Sequence, residues 1–327
     1  MVGTTSLILT LTRQCNLRCS YCPTAKDGWP VLSTSAIDQA IEIFLSLYKK
    51  GEIKLFGGEP FLEPELIRHV LDSVKDEPRI NKVYVSTNGL GLNEEWIEYF
   101  KNYPKAILTI SLDGKPKDHR RMRRAISEDI PDCYDHVVSL LPKLLEVPRL
   151  VITQTIAPAT ARNAYENFRH LRDLGFWRFN FLPGYFIPWK EEQLEELREN
   201  FQQCAKDIIQ DWEQDRLVYV RNLFIQAPTP FFNQGLIVDC DRTIHPSNLG
   251  LSSSLEELRG RTTVGTLDAP PSLKDLEEKS QQVNEMLQEF VPEKIWTSTL
   301  RSDRELTRFC KVLFPHFLRY KKRKRLV

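Results

Sequence analysis

Short β-rich runs alternate with amphipathic stretches through the first two thirds of the chain. Ser6–Arg13 (SLILTLTR) reads as a strand and runs straight into a cysteine-bearing loop. The next helix is predicted to begin near Ser35, where Asp38 completes a start of capping-box type, and to stop at Gly51. Within it Ile37, Ile41, Phe44, Leu45 and Tyr48 recur at helical spacing on one face. Strand Glu52–Phe56 and helix Pro64–Val74 follow, then strand Lys82–Ser86, helix Asn93–Phe100, strand Lys105–Leu112 and helix Asp132–Leu145. Strand Arg149–Ile156, helix Thr160–Leu174 and strand Arg178–Leu182 end the alternation. Such a rhythm predicts an α/β fold with a parallel sheet, here a partial (β/α)6 TIM-like barrel. Architectures of that kind keep their chemistry in the loops at the carboxyl ends of the strands.

A long helix from about Lys190 to Asp215 places Leu194, Leu197, Phe201, Ile208 and Trp212 on its apolar side. The rhythm is lost after it. Leu217–Gln226 and Leu236–Ile244 read as strands, the second leading into a turn at His245–Asn248, and Pro270–Pro271 interrupts a helical or loop-rich remainder. The expected division is a barrel over residues 1–215 and a smaller α+β extension over residues 216–327.

Composition narrows the picture without adding chemistry. The 327 residues carry a formal net charge of +1, which gives no reason to expect a nucleic-acid partner. No apolar run approaches the roughly 20 residues that span a bilayer. Met1–Leu11 lacks the basic and small-residue features of a secretory signal, so a cytoplasmic location is expected. The 7 cysteines are an odd number and do not form a disulfide framework. Three of them crowd together as Cys15, Cys19 and Cys22, which in a reducing compartment marks a metal or redox site.

Cys15-x-x-x-Cys19-x-x-Cys22 directly follows a strand and has no fourth cysteine nearby. Three thiolates can hold a four-iron cluster while leaving one iron open to a small molecule. The alternative is structural zinc, which ordinarily takes four ligands, often as two pairs; neither a second pair nor a nearby histidine is present. The spacing, with Tyr21 before the third cysteine, resembles the signature of the radical S-adenosylmethionine (SAM) superfamily. The resemblance implies a [4Fe-4S] cluster whose open iron chelates SAM, and reductive cleavage of SAM to a 5′-deoxyadenosyl radical that takes a hydrogen atom from a substrate. The protein's own part would be positioning and the exclusion of side reactions.

Further loops carry the same resemblance. Gly57-Gly58-Glu59-Pro60 ends the second strand, where two glycines let a ligand approach the backbone and Pro60 fixes the exit; an ordinary turn would look the same. By resemblance, Gly57, Gly58 and Glu59 would meet the amino group of SAM. Ser86-Thr87-Asn88-Gly89 and Ser111-Leu112-Asp113-Gly114 end the third and fourth strands, and the latter continues to His119 and Arg123. Similar runs occur in the branch of sulfatase-maturating enzymes and peptide maturases. They imply that Ser86 and Asn88 lie near the ribose or methionine, and Ser111 and Arg123, with Asp113 between them, near the ribose and carboxylate. Arg120, Arg121 and Arg124 compete with Arg123 for that role, and Gln154 in the fifth strand is a further candidate contact.

In the last third, Ile237–Pro246 and Val264–Leu267 resemble a degenerate form of the cysteine-rich module that carries auxiliary clusters in relatives, without its ligands. Cys204 and Cys310 read as buried, inert thiols, and Cys133 begins a helix. A single cluster is expected. Cys240 is a candidate hydrogen-atom donor to a substrate radical, or else a small buried residue of a hairpin; Asp239 and Asp241 read as turn residues. The basic run Arg319–Arg325 reads as a solvated, partly disordered end. The leading expectation is chemistry on a peptide or protein side chain, with flavodoxin or ferredoxin as electron donor. The alternatives are a small-molecule substrate (nucleoside, amino acid or sugar) and a non-catalytic iron–sulfur sensor.

Overall fold

The computed structural model describes residues 5–224, 235–247 and 256–324. β1 (Ser6–Thr12) is followed by a three-residue β2 (Leu17–Cys19) set aside from the main sheet, and then by β3 (Gly51–Gly57), β4 (Ile80–Thr87) and β5 (Ala106–Ser111). β6 (Arg123–Ala125) pairs antiparallel with β2, after which β7 (Leu150–Ile156) and β8 (Arg178–Pro183) rejoin the sheet. β1, β3, β4, β5, β7 and β8 lie side by side and parallel, the six strands of a partial barrel.

The helices between them are α1 (Thr34–Leu47), α2 (Pro64–Ser73), α3 (Glu94–Asn102), α4 (Pro116–Met122), α5 (Cys133–Ser139), α6 (Leu141–Leu144), α7 (Ala164–Asp173) and α8 (Glu191–Glu213). Strand alternation sends Leu7, Leu9 and Leu11 into one core with Ile37, Ile41 and Phe44 of α1. Each such large side chain contributes about 1.5–3 kcal/mol by burial.

Several boundaries differ from the sequence reading, each for a local reason. α1 starts one residue before Ser35, capped by the Ser33 hydroxyl, which accepts from the Ala36 amide. Gly51 opens β3 instead of ending the helix. A Cβ there would fall 2.5 Å from the Phe44 ring and 2.6 Å from the Thr5 carbonyl oxygen, so packing demands the glycine. The single helix expected over Asp132–Leu145 is divided into α5 and α6, because Pro142 has no amide to continue the ladder. The helix expected from Thr160 begins at Ala164, after a 3-10 turn over Pro158–Asn163.

Beyond α8 the expected strand Leu217–Gln226 shrinks to β9 (Tyr219–Val220) and a 3-10 turn, Arg221–Phe224; Ile225 and Gln226 lie outside the described residues. The Asn222 side chain takes over the pairing that a longer strand would have made. Its Oδ1 accepts from the Phe181 amide at 2.8 Å, and its Nδ2 donates to the Phe181 carbonyl at 2.9 Å. The expected strand Leu236–Ile244 is a hairpin of β10 (Gly235–Val238) and β11 (Thr243–His245), turning where Arg242 adopts φ 73°. Asn248, at the end of the predicted turn, lies outside the described residues.

α9 (Glu256–Thr262), β12 (Gly265–Thr266), α10 (Leu273–Phe290) and α11 (Glu293–Lys324) complete the chain. β10 lies parallel to β1, so β10–β12 extend one edge of the sheet while β9 extends the other, and the sheet stays open. α11 runs along α8: Phe309 stacks on Phe201 at 4.8 Å and Glu305 pairs with Arg198 at 3.1 Å. The basic end is not loose as expected. It is helical through Lys324, whose Nζ meets Asp215 at 3.2 Å; Arg325 lies outside the described residues. Among the described residues no helix is long and apolar enough to cross a membrane.

Candidate functional site

The cysteine loop leaves β1 just past a bulge between Thr10 and Thr12 that re-aims the chain across the strand ends. Its neck is closed by the Leu32 amide donating to the Leu11 carbonyl at 2.9 Å. The glycine-rich turn after β3 docks on this loop. Gly58 N–H donates to the Thr12 carbonyl at 2.9 Å and Glu59 N–H to the Gln14 carbonyl at 2.8 Å. A Cβ on Gly57 would lie 2.0 Å from the Thr12 carbonyl oxygen, and one on Gly58 would lie 2.0 Å from that of Gln14. The two glycines are therefore demanded by the backbone of the cysteine loop, a reason that sequence reading assigned to a ligand.

Glu59 is buried and spends its carboxylate on the chain. Oε1 accepts from the Thr87 hydroxyl at 2.7 Å and the Phe61 amide at 3.0 Å, and Oε2 accepts from the Asn88 amide at 2.7 Å. Burial raises its pKa, while these three donors work against that rise. Asn88 is committed as well, its Nδ2 donating to Asn16 Oδ1 at 2.7 Å and its Oδ1 accepting from the Leu90 amide at 2.9 Å. The β3 and β4 exits and the cysteine loop thus form one bonded unit.

Asp113 is the second anchor. Its carboxylate receives Nε and Nη2 of Arg123, both at 3.1 Å, the Tyr21 hydroxyl at 2.7 Å and the Thr155 amide at 3.2 Å. Its own amide donates to Nδ1 of His119 at 3.2 Å. Arg123, paired on β6 opposite Cys19, lies with Nη1 3.9 Å from the Cys19 sulfur. Of the four neighbouring arginines only Arg123 turns inward. Arg120 pairs with Asp132 and Asp135, Arg121 reaches the Ala159 carbonyl, and Arg124 is exposed.

A cavity of about 230 Å³ opens above the strand ends, room for a ligand and not merely a water. One side holds Cys15, Cys19, Cys22 and Tyr21; the floor holds Gly57, Gly58, Glu59, Pro60, Ser86, Asn88, Ser111 and Arg123. The hydroxyls of Ser86 and Ser111 have no protein hydrogen-bond partner among the described residues. Sequence reading missed the remaining wall, made by Thr155 and by Leu182–Phe186, the end of β8 and the turn beyond it. Phe186 adopts φ 57°, an unfavourable conformation for a bulky residue, and is held there by its amide donating to Thr299 Oγ1 at 2.8 Å. Tyr185 donates to Asp303 at 2.7 Å. Strand alternation alone would have identified Thr155 as a residue facing the barrel interior; the α11 contacts had no local signal.

Three candidates fall outside the cavity. Gln154 is fully buried on the helix side of β7, its Nε2 donating to the Ala164 carbonyl at 3.0 Å, because the period of a strand turns it away from Thr155. Cys240 does not face the mouth: it is 2% exposed within the main core, and its amide donates to Asp239 Oδ1 at 2.8 Å. Asp113 also lies behind the wall and acts through Arg123 and Tyr21. Cys204 is buried as expected, whereas Cys310 is only partly buried on α11.

No three His, Cys, Asp or Glu side chains among the described residues converge on one metal ion. Three thiol donors on one side of the cavity suit a cuboidal cluster, in which each thiolate takes a different iron, better than zinc, which ordinarily takes four ligands. Burial pushes the Cys19 thiol up to about 11 against the Arg123 guanidinium, and raises Cys15 likewise; bound iron would reverse this.

Comparison with known proteins agrees with this geometry. The model of the Radical SAM superfamily matches residues 9–201, more than half of the chain. The chain is 28% identical over 120 residues to molybdenum cofactor biosynthesis protein moc-5 of Caenorhabditis elegans, covering 35% of this chain and 19% of that protein. It is 30% identical over 122 residues to GTP 3′,8-cyclase of Limosilactobacillus fermentum, covering 36% of each. These matches span well under half of the relatives' lengths. Among solved structures, anSMEcpe with bound AdoMet superposes with a TM-score of 0.74 at 14% identity, covering 98% of this chain and 99% of that one. Streptococcus suis SuiB bound to the precursor peptide SuiA gives 0.57 at 15% identity, covering 75% and 59%. With the cysteine triad at the mouth of an open six-stranded barrel and the family match across it, this chain belongs to the radical SAM superfamily, enzymes that use a [4Fe-4S] cluster and S-adenosylmethionine.

Proposed function

We propose that this enzyme abstracts a hydrogen atom from a side chain of a peptide or protein. When bound, the cluster and S-adenosylmethionine supply a 5′-deoxyadenosyl radical. Cys15, Cys19 and Cys22 would hold the cluster. The free hydroxyls of Ser86 and Ser111 suit a ribose, and Nη1 of Arg123, the nitrogen that Asp113 does not hold, suits a carboxylate oxygen. Gly57, Gly58, Glu59 and Asn88 set the shape of the floor, and Tyr21 and Asp113 hold Arg123 in place. An external donor such as flavodoxin or ferredoxin would bring the electron, in a reducing, cytoplasmic setting. The barrel over residues 1–215 would carry this site and the extension over residues 216–327 would support it.

The observation that carries the substrate reading is the charge of the cavity wall. Among the described residues its lining cations are Lys26 and Arg123. Lys26 donates to the Leu17 carbonyl at 2.6 Å and keeps its charge, whereas the charge of Arg123 is neutralised by Asp113. The opposite wall, Leu182–Phe186, is uncharged and aromatic. The two internal segments outside the described residues contain neither lysine nor arginine. A nucleoside triphosphate, as in the relatives named GTP 3′,8-cyclase, needs several free cations. An apolar or aromatic side chain on a peptide needs none. The fold shared with SuiB, which binds a precursor peptide, is compatible with this reading at the level of architecture.

The test uses extract from cells grown on deuterated amino acids, separated by ultrafiltration. The anaerobically reconstituted, reduced enzyme is given SAM and each fraction, and deuterium is sought in 5′-deoxyadenosine. The expected label comes from the macromolecular fraction and disappears after protease treatment of that fraction. Label from the small-molecule filtrate alone, or from deuterated GTP, would overturn the proposal.

A further inference from the structure

We infer that the β10–β11 hairpin is a latch gripping both ends of the cysteine loop, with Arg13, Trp29, Asp239 and Arg259 as positioning residues for the cluster. The inference rests on the triad holding that cluster and does not depend on the substrate. Arg13 stands where β1 passes into the loop, and it is 1% exposed. Its Nε donates to Asp239 Oδ1 at 3.2 Å, and its Nη2 is bonded to Asp239 Oδ2. Asp239, wholly buried, sits at the hairpin turn. The loop's far end is Trp29, beyond Cys22. The Arg13 guanidinium lies 3.6 Å from the centre of the Trp29 ring, and that of Arg259, on α9, lies 4.6 Å from it.

Arg259 closes the arrangement. Its Nη2 reaches Asp239 at 3.4 Å and Thr243 Oγ1 at 2.8 Å, and is bonded to Asp241. Two guanidinium groups and two carboxylates therefore converge on one aromatic ring, and the ring belongs to the segment that carries the cysteines. Ion pairs this deeply buried contribute little net stability compared with apolar packing of the same volume, but they tolerate few alternative geometries. Guanidinium stacking on indole adds a directional contact. Their charges cancel, so the network leaves the net charge beside the thiols unchanged and acts on position. This gives Asp239 and Asp241 a role that neither a turn nor acid–base chemistry describes, and it ties residues beyond the barrel to the entry of the site.

The test compares Asp239→Asn, Trp29→Leu and Trp29→Phe with the parent chain. In the iron-free protein, amide hydrogen exchange over residues 14–29 is expected to quicken about tenfold in Asp239→Asn and Trp29→Leu, since exchange there reports local opening. Trp29→Phe keeps an aromatic face for both cations and is expected to stay within about threefold of the parent. In the reconstituted protein, extraction of iron by a chelator should follow the same order, and the SAM-induced change in the electron paramagnetic resonance signal should weaken with it. A lower melting temperature with parental loop exchange and parental iron retention would reduce the network to fold support and overturn the latch. Faster loop exchange with unchanged iron extraction would also overturn it. Should Asp239→Asn fail to fold, Trp29→Leu decides alone, because it removes no charge. A parent chain that binds no cluster would sink the family-based role of the triad, while the exchange data would still report on the grip.

Discussion

Replacing Asp113 by asparagine keeps the shape of its side chain and removes the charge that neutralises Arg123. The two side chains are 1% and 8% exposed, so the remaining guanidinium has almost no water to turn to. Breaking a buried pair on one side costs about 3–5 kcal/mol, because an uncompensated charge is left behind. The asparagine amide also turns a donor toward a neighbourhood already made of donors: Arg123, the Tyr21 hydroxyl and the Thr155 amide. For a chain of this size the loss corresponds to a fall in melting temperature of about 4–7 °C. The assay is denaturant and thermal unfolding of the iron-free protein, as a cycle with Arg123→Leu and the double variant. The double variant should recover at least about 2 kcal/mol relative to the sum of the singles. A single variant melting within about 2 °C of the parent, or strict additivity in the cycle, would refute the claim that this pair is a buried, mutually dependent anchor.

Two further outcomes follow from burial and from close backbone contact. Burial pulls the imidazoles of His119 and His245 down to about 4, so the folded state prefers both neutral. Their contribution is complete above the unfolded value near 6.5 and is lost as pH falls toward 4. Between pH 7.5 and pH 5 each removes about 2 kcal/mol of stability. His119→Gln, whose amide oxygen can still accept from the Asp113 amide, should flatten about half of that slope in denaturant titrations at the two pH values; an unchanged slope would count against it. Gly58→Ala puts a methyl group 2.0 Å from the Gln14 carbonyl oxygen and 2.3 Å from that of Arg13. It should cost about 3 kcal/mol or more and lower the iron bound per chain; parental iron content and melting temperature would contradict the docking described for this turn.

The barrel was legible in the sequence because its signals are local. Period-two apolar strands and period-3.6 helices marked all six parallel strands, and the triad and strand-end motifs lay close to one another along the chain. The failures came from partners distant in sequence. Gln154 and Thr155 are neighbours in the chain, yet only the orientation of β7 decides which of them enters the barrel interior. Cys240 left two readings open, hydrogen-atom donor or small buried residue of a hairpin, and its burial beside β10, paired with β1, matches the second. Arg13 and Asp239 are 226 residues apart, so no local pattern could join them. The glycines after β3 were found correctly but for an incomplete reason, since the carbonyl oxygens that forbid a side chain there belong to another loop.

An open sheet presents unpaired backbone, and unpaired edges recruit other chains. The Asn222 side chain meets that hazard at one edge. By offering Phe181 both an acceptor and a donor, it behaves as a one-residue counterfeit strand and ends pairing two residues beyond the short β9 contact at Phe179. The upper part of β8, which leads to the aromatic wall, is thereby denied to a passing β-segment. Protection of this edge thus depends on a single amide group.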